Sequence, residues 1–134
     1  MAKQEYRKGN HCVFSIQAHS YFVTKYRKPV LKPEMITVAR TVMEKVLEKN
    51  QCLLLEYGGE PDHLHLLIDV HPDNNISQLL GSLKSATSRV LRREFPELVR
   101  FCRKGLWGKQ LYIRSAGGAP LATLKKYIET HSYG

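Results

Sequence analysis

The chain has 134 residues, 43% of them hydrophobic and 25% charged, which suits one globular domain with its own core and leaves little room for a second. Lys and Arg number 21 against 12 Asp and Glu, a net charge of +9. A compact chain this basic repels itself, so a polyanionic partner is expected, nucleic acid first and an acidic membrane surface second.

Residues 12–19, "CVFSIQAH", alternate as a strand, with Cys12, Phe14, Ile16 and Ala18 on one face and a wetter face opposite. "TKYRKPVLKP", Thr24 to Pro33, reads as a basic loop. A helix follows, with Pro33 in its first turn, Met35, Ala39, Val42, Met43, Val46 and Leu47 at helical spacing, and Asn50 at its end. "QCLLLEYGG" and "DHLHLLIDV" are two strands separated by a short turn, hence an antiparallel hairpin. "PDNN" caps a helix from Ile76 to about Phe95 that buries Leu79, Leu80, Leu83, Ala86, Val90 and Leu91, and Pro96 stops it. "KQLYIRS" is a fourth strand, Gly117-Gly118 breaks it, and Pro120 opens a last helix, "PLATLKKYIETH".

The order β-α-β-β-α-β predicts an α+β, ferredoxin-like (RRM-like) fold, an antiparallel sheet with helices on one face, plus a C-terminal helix. The other face of the sheet is then free to hold a site. Cys12, Cys52 and Cys102 are odd in number and form no C-x-x-C pair, which argues against disulfides and a thiolate zinc site. No apolar run approaches the ~18 residues of a membrane span and no leader-like N-terminus is visible, so a cytoplasmic location and no membrane partner are expected.

The chemistry concentrates at "PDHLHLLIDV". Side chains alternate along a strand, so His63 and His65 point the same way, with Cα atoms ~6.5–7 Å apart. Two imidazoles at that separation can converge on one metal ion, although two residues do not complete a site. Leu64, Leu66 and Ile68 turn to the helices. Tyr127 and His131 are four apart and share a face of the last helix. His131 could supply a third nitrogen, with Tyr127 beside the metal. Leu124, Tyr127, Ile128 and His131 equally fit an ordinary buried stripe. A tyrosine beside a divalent cation suggests attack on a phosphodiester, giving a phosphotyrosine and a free 3′ hydroxyl. Eight Lys or Arg and two acidic residues lie between Lys84 and Lys109. Lys84, Ser88 and Arg92 form an i, i+4, i+8 line that could track phosphates. Asp62 is a weaker ligand candidate, because strand alternation points it to the other face unless a bulge intervenes. Tyr26, Trp107 and Tyr112 could stack unpaired bases.

"PDHLHLL" resembles the histidine-hydrophobe-histidine motif of the HUH nucleases. "LWGKQLYIRSAGG" with "LKKYIETH", "TKYRKPVL" and "SLKSATSRVLRREFP" resemble segments of the small single-tyrosine transposases of bacterial and archaeal insertion sequences, the IS-two-hundred type. The match runs in order over nearly the whole chain, residues 1–134 as a single HUH domain. The resemblance implies a dimeric, magnesium- or manganese-dependent transposase that recognises single-stranded DNA hairpins at element ends. It implies metal ligands at His63 and His65, the nucleophile at Tyr127, and a hinge at Gly117 and Gly118 within a 117–134 hinge and catalytic helix that can serve the partner subunit in trans. Glutamine is common four residues after the tyrosine, where this chain has His131. A third imidazole would favour manganese or zinc over magnesium. Lys84, Arg89, Arg92, Arg93, Lys109 and Arg114 are the expected DNA contacts. The alternatives are a ferredoxin-like single-strand nucleic-acid-binding module without chemistry, and a three-histidine hydrolase of a small substrate.

Overall fold

The computed structural model describes residues 6–116, 125, 126 and 128–130. Its strands are β1 (Arg7–Gly9), β2 (Cys12–Phe14), β3 (Gln17–Val23), β4 (Leu53–Glu60), β5 (His63–Asp69) and β6 (Tyr112–Ser115). Its helices are α1 (Pro33–Lys49), α2 (Ile76–Glu94) and the short α3 (Glu97–Phe101). A four-stranded antiparallel sheet runs β4-β5-β3-β6, and β1 and β2 form a separate hairpin. Counted within the β-α-β-β-α-β unit, the spatial order is second, third, first, fourth strand. This is the expected α+β sandwich.

The local reasons are ordinary. Pro33 sits in the first turn of α1, where its missing N–H costs nothing, and Met35, Ala39, Met43 and Leu47 form its buried stripe. The Asn75 side chain accepts from the Gln78 N–H and caps α2. The core lies between these helices and one sheet face, where Phe22, Leu64, Leu66 and Ile68 meet Met35, Met43, Leu80, Leu83 and Leu91. Each such leucine contributes about 1.5–3 kcal/mol by leaving water.

Three readings change. The strand over 12–19 is two strands, because Cys12–Phe14 turns back on Arg7–Gly9 while Gln17 onward pairs with β5. The burial pattern changes with it: Ile16 is 37% exposed and Gln17 is buried. In the basic loop, Lys25–Arg27 forms a tight turn with Tyr26 at φ 59° and Arg27 at φ 55°, a left-handed pair in non-glycine residues. In β4 the register shifts between Leu54 and Glu56. That bulge sets Gly58 opposite His65 and Glu60 opposite His63, on the face away from the core.

Candidate active site

The sheet face opposite α1 and α2 carries His63 and His65 from β5, Tyr21 and Val23 from β3, and Tyr112 from β6. β3 pairs Tyr21 with His65 and Val23 with His63. The Tyr21 ring stacks on His63 at 5.1 Å between centroids and tilts against His65 at 5.9 Å. The two imidazoles are 6.2 Å apart. Gly58 makes this packing possible. A Cβ on it would stand 2.5 Å from His65 Nε2, so any side chain there displaces the imidazole.

His63 is 7% exposed. Its Nδ1 is 2.9 Å from Asp62 Oδ1. A carboxylate at that nitrogen takes the Nδ1–H hydrogen bond and leaves Nε2 with its lone pair. Among the described residues Nε2 has no hydrogen-bond partner, and the Glu60 carboxylate lies 3.4 Å away. Asp62 therefore does not point to the core face. It precedes the strand in the turn, where alternation does not apply. Burial pushes its carboxyl up, but the hydrogen bonds and charges of His63 and Arg27 together outweigh that and leave it below its usual range. Burial, and then the neighbouring His63, lower the pKa of His65, which favours the neutral imidazole. The Lys125 ammonium, 2.6 Å from Glu60, holds the Glu60 carboxyl below its usual range.

These donors suit a divalent cation. A buried imidazole nitrogen with no hydrogen-bond partner among the described residues, a second imidazole on the same face and a nearby carboxylate are the ligand types such ions take. Among the described residues no group of three or more His, Cys, Asp or Glu is gathered closely enough to complete a site. His131, the third expected ligand, lies outside the described residues, as do Tyr127, Gly117 and Gly118.

The C-terminal segment reaches this face. Lys125, Lys126 and residues 128–130 are helical. Ile128, 4% exposed, packs with Tyr21, Val23 and Tyr112. Arg27 donates to the Glu129 carbonyl at 3.2 Å, and a small cavity of about 90 Å³ remains between His63, Glu60, Asp62, Lys125 and Glu129. The sequence neighbour of Tyr127 is thus packed on the face that carries both histidines.

The expected DNA contacts divide. The Lys84 ammonium donates to the carbonyls of Gly108 and Gln110 at 2.6 and 3.1 Å, and burial lowers its pKa. Arg92 donates to the carbonyls of Ser88 and Arg103, and the Ser88 hydroxyl accepts from the Leu106 N–H. The line Lys84-Ser88-Arg92 thus fastens the 103–110 loop to α2. Arg89, Arg93 and Lys109 are exposed. Arg114 stands opposite His19 on the histidine face, and its Nε has no hydrogen-bond partner among the described residues. Trp107 is buried, with Nε1 donating to the Thr87 hydroxyl, and Tyr112 is buried too, so of the three stacking candidates Tyr26 alone is exposed. Arg27, Glu60, Tyr21 and Gly58 were not anticipated. Their places depend on register and on the turn before α1, which composition does not reveal.

The profile of the family described as "Transposase IS200 like" matches residues 12–131. The chain belongs to the IS200-like transposase family. This transposase is 28% identical over 131 residues to the ISDra2 transposase TnpA of Deinococcus radiodurans, covering 94% of this chain and 91% of that protein. It is 25% identical over 120 residues to the transposase for insertion sequence element IS200 of Salmonella typhimurium, covering 89% and 78%. A crystal structure of a Deinococcus radiodurans protein assigned as a transposase superposes with a TM-score of 0.85 at 26% identity, over 96% of this chain and 99% of the other. A REP-associated tyrosine transposase bound to a REP hairpin shares the fold, with a TM-score of 0.56 at 12% identity over 100% of this chain and 75% of that one. No helix of the described residues is long and apolar enough to cross a membrane.

Proposed function

We propose that this transposase cuts and rejoins single-stranded DNA at the ends of an insertion sequence by way of a phosphotyrosine, within a single domain spanning residues 1–134. The observation that carries the reading is the buried Nε2 of His63, which has no hydrogen-bond partner among the described residues, beside His65, on the sheet face where the segment flanking Tyr127 packs. His63 and His65 would hold a magnesium or manganese ion, with His131 as third ligand. A bound divalent cation would supply polarisation of the scissile phosphodiester and offset negative charge in the transition state.

The chain's own residues do the rest. The Tyr127 hydroxyl attacks phosphorus and loses its proton. The new bond joins the tyrosine oxygen to the 5′ phosphate, and the bond to the 3′ oxygen breaks, leaving a 3′ hydroxyl. Strand transfer is the same exchange reversed with a different 3′ hydroxyl, so the phosphodiester energy is conserved and no ATP is needed. Asp62 keeps His63 in the tautomer that offers Nε2. Arg89, Arg93, Lys109 and Arg114 attract the phosphate backbone, and DNA hairpins are the expected partners. Gly117 and Gly118 are the proposed hinge of the Tyr127 segment, and a homodimer with shared sites is the proposed assembly.

The test is a covalent adduct. Wild-type protein incubated with labelled single-stranded hairpin DNA from the element's ends and Mn²⁺ should give a protein–DNA band that survives denaturation. EDTA and Tyr127→Phe should each remove it, while hairpin binding persists in Tyr127→Phe. Hairpin binding without any adduct in the wild type would leave the non-catalytic binding module as the better reading.

A further inference from the structure

The Arg27 side chain reaches both halves of the site. Arg27 Nη2 lies 3.2 Å from Asp62 Oδ2, and Arg27 Nη1 donates to the Glu129 carbonyl at 3.2 Å. Asp62 uses its other oxygen for His63 Nδ1. A continuous path therefore runs from the His63 imidazole through the Asp62 carboxylate and the Arg27 guanidinium to the backbone of the C-terminal helix. A planar guanidinium suits this bridge, because its fork presents two N–H groups in fixed directions to two acceptors.

The backbone around Arg27 has a shape made for that reach. Tyr26 and Arg27 are successive non-glycine residues at positive φ, which is costly and persists where the surroundings impose it. The imposing contacts are visible. Thr24, fully buried, donates its N–H to the Asp62 carbonyl at 3.0 Å, and its hydroxyl lies 2.8 Å from the Lys28 carbonyl and 3.1 Å from the Asp62 carbonyl. The Lys25 N–H donates to the Leu106 carbonyl at 2.9 Å, and the Arg27 N–H closes on the Thr24 carbonyl at 2.8 Å. The turn is pinned to the backbone of the residue whose side chain Arg27 grips. The other tie of the helix among the described residues, Lys125 to Glu60, joins two partly exposed side chains and approaches His63 from its Nε2 side, 3.4 Å from Glu60, whereas Arg27 acts on the Nδ1 side through Asp62.

We propose that Arg27 is a positioning residue that sets the metal-binding imidazole and the tyrosine-bearing segment in one register. It acts on His63 through Asp62 and on the C-terminal helix through the Glu129 carbonyl. This rests on the transposase reading above for its purpose, but the two linkages it asserts are measurable without any reaction.

The test compares Arg27→Ala, Arg27→Lys, Asp62→Ala and the double variant Arg27→Ala/Asp62→Ala in the full chain. Mn²⁺ affinity is read by paramagnetic resonance of free Mn²⁺, and backbone amide exchange at residues 128–130 by mass spectrometry. Arg27→Ala should weaken Mn²⁺ binding on the order of ten-fold, as loss of a residue behind a ligand does. It should also speed amide exchange at 128–130. Arg27→Lys should fall between, because its single nitrogen lacks the two separate NH₂ groups with which the guanidinium meets Asp62 and the Glu129 carbonyl. The double variant should bind Mn²⁺ no more weakly than Asp62→Ala, since Arg27 reaches the ion through that carboxylate. Adduct formation by Arg27→Ala should stay slow at saturating Mn²⁺, because the helix tie is lost as well.

Unchanged Mn²⁺ affinity or unchanged exchange in Arg27→Ala overturns the proposal, and so does a double variant whose losses multiply. If wild-type protein forms no adduct while these linkages hold, the transposase reading fails and the Arg27 bridge stands. Arg27 is 35% exposed in its side chain, so the alanine variant is expected to fold, and its own melting temperature, near that of the wild type, confirms it.

Discussion

At the scale of single residues, the site depends on what surrounds two imidazoles more than on the imidazoles. His63 offers Nε2 because Asp62 occupies Nδ1. His65 has room because the facing residue is Gly58. Gly58→Ala should therefore push the His65 ring off its place. The expected result is Mn²⁺ affinity lower by about ten-fold or more in calorimetry, with the melting temperature little changed. Equal affinity in the variant would mean that His65 takes no part in binding. The H-x-H pair and its shared face were legible in the sequence, because strand alternation alone fixes them. Asp62 was not, because it sits one residue before the strand and a turn aims it. Gly58 was not, because it faces His65 through a bulge at Leu54–Glu56. A uniform strand would have turned Tyr57 and Gly59 to that face instead.

At the scale of elements, α2 shows how a basic line divides between holding and contacting. Periodicity placed Lys84, Ser88 and Arg92 together away from the leucines, and the structure keeps them together. What the period cannot tell is that the 103–110 loop returns to cover them. Lys84 then becomes a clasp on two carbonyls, whereas Arg89 and Arg93 stay in water. These roles predict opposite results. Lys84→Ala leaves the carbonyl of the buried Gly108 without its ammonium partner, while water can reach that of the exposed Gln110, and should lower stability by about 1 kcal/mol in urea denaturation. Arg89→Ala and Arg93→Ala should leave the urea midpoint within error. Each should instead reduce the slope of log affinity for single-stranded DNA against log salt by roughly 0.7, the value per phosphate contact on a single strand. A Lys84 variant as stable as wild type but weakened in DNA binding would return Lys84 to the phosphate track.

At the scale of the whole molecule, one sheet carries two surfaces with different physics. Leu64, Leu66 and Ile68 are essentially out of contact with water against α1 and α2. His63 and His65, alternating with them, face Tyr21 and the C-terminal segment. Stability and chemistry are thus separated by the pleat, one residue apart in sequence. Leu66→Ala removes packed methyl groups from the core and should cost about 2–5 kcal/mol of unfolding free energy. Adduct formation by the fraction still folded should hardly change. His65→Ala removes a half-buried imidazole from the other face. Above the ordinary histidine pKa of about 6.5 the ring is neutral both folded and unfolded, so its urea midpoint should stay near wild type there, while Mn²⁺ binding and adduct formation are lost. The two variants, measured side by side by urea denaturation and by the covalent-adduct assay, should change opposite readouts. If His65→Ala unfolded as easily as Leu66→Ala, the imidazole would be a packing residue. The histidine face would then be a second core, closed by Ile128, with no metal chemistry to assign to it.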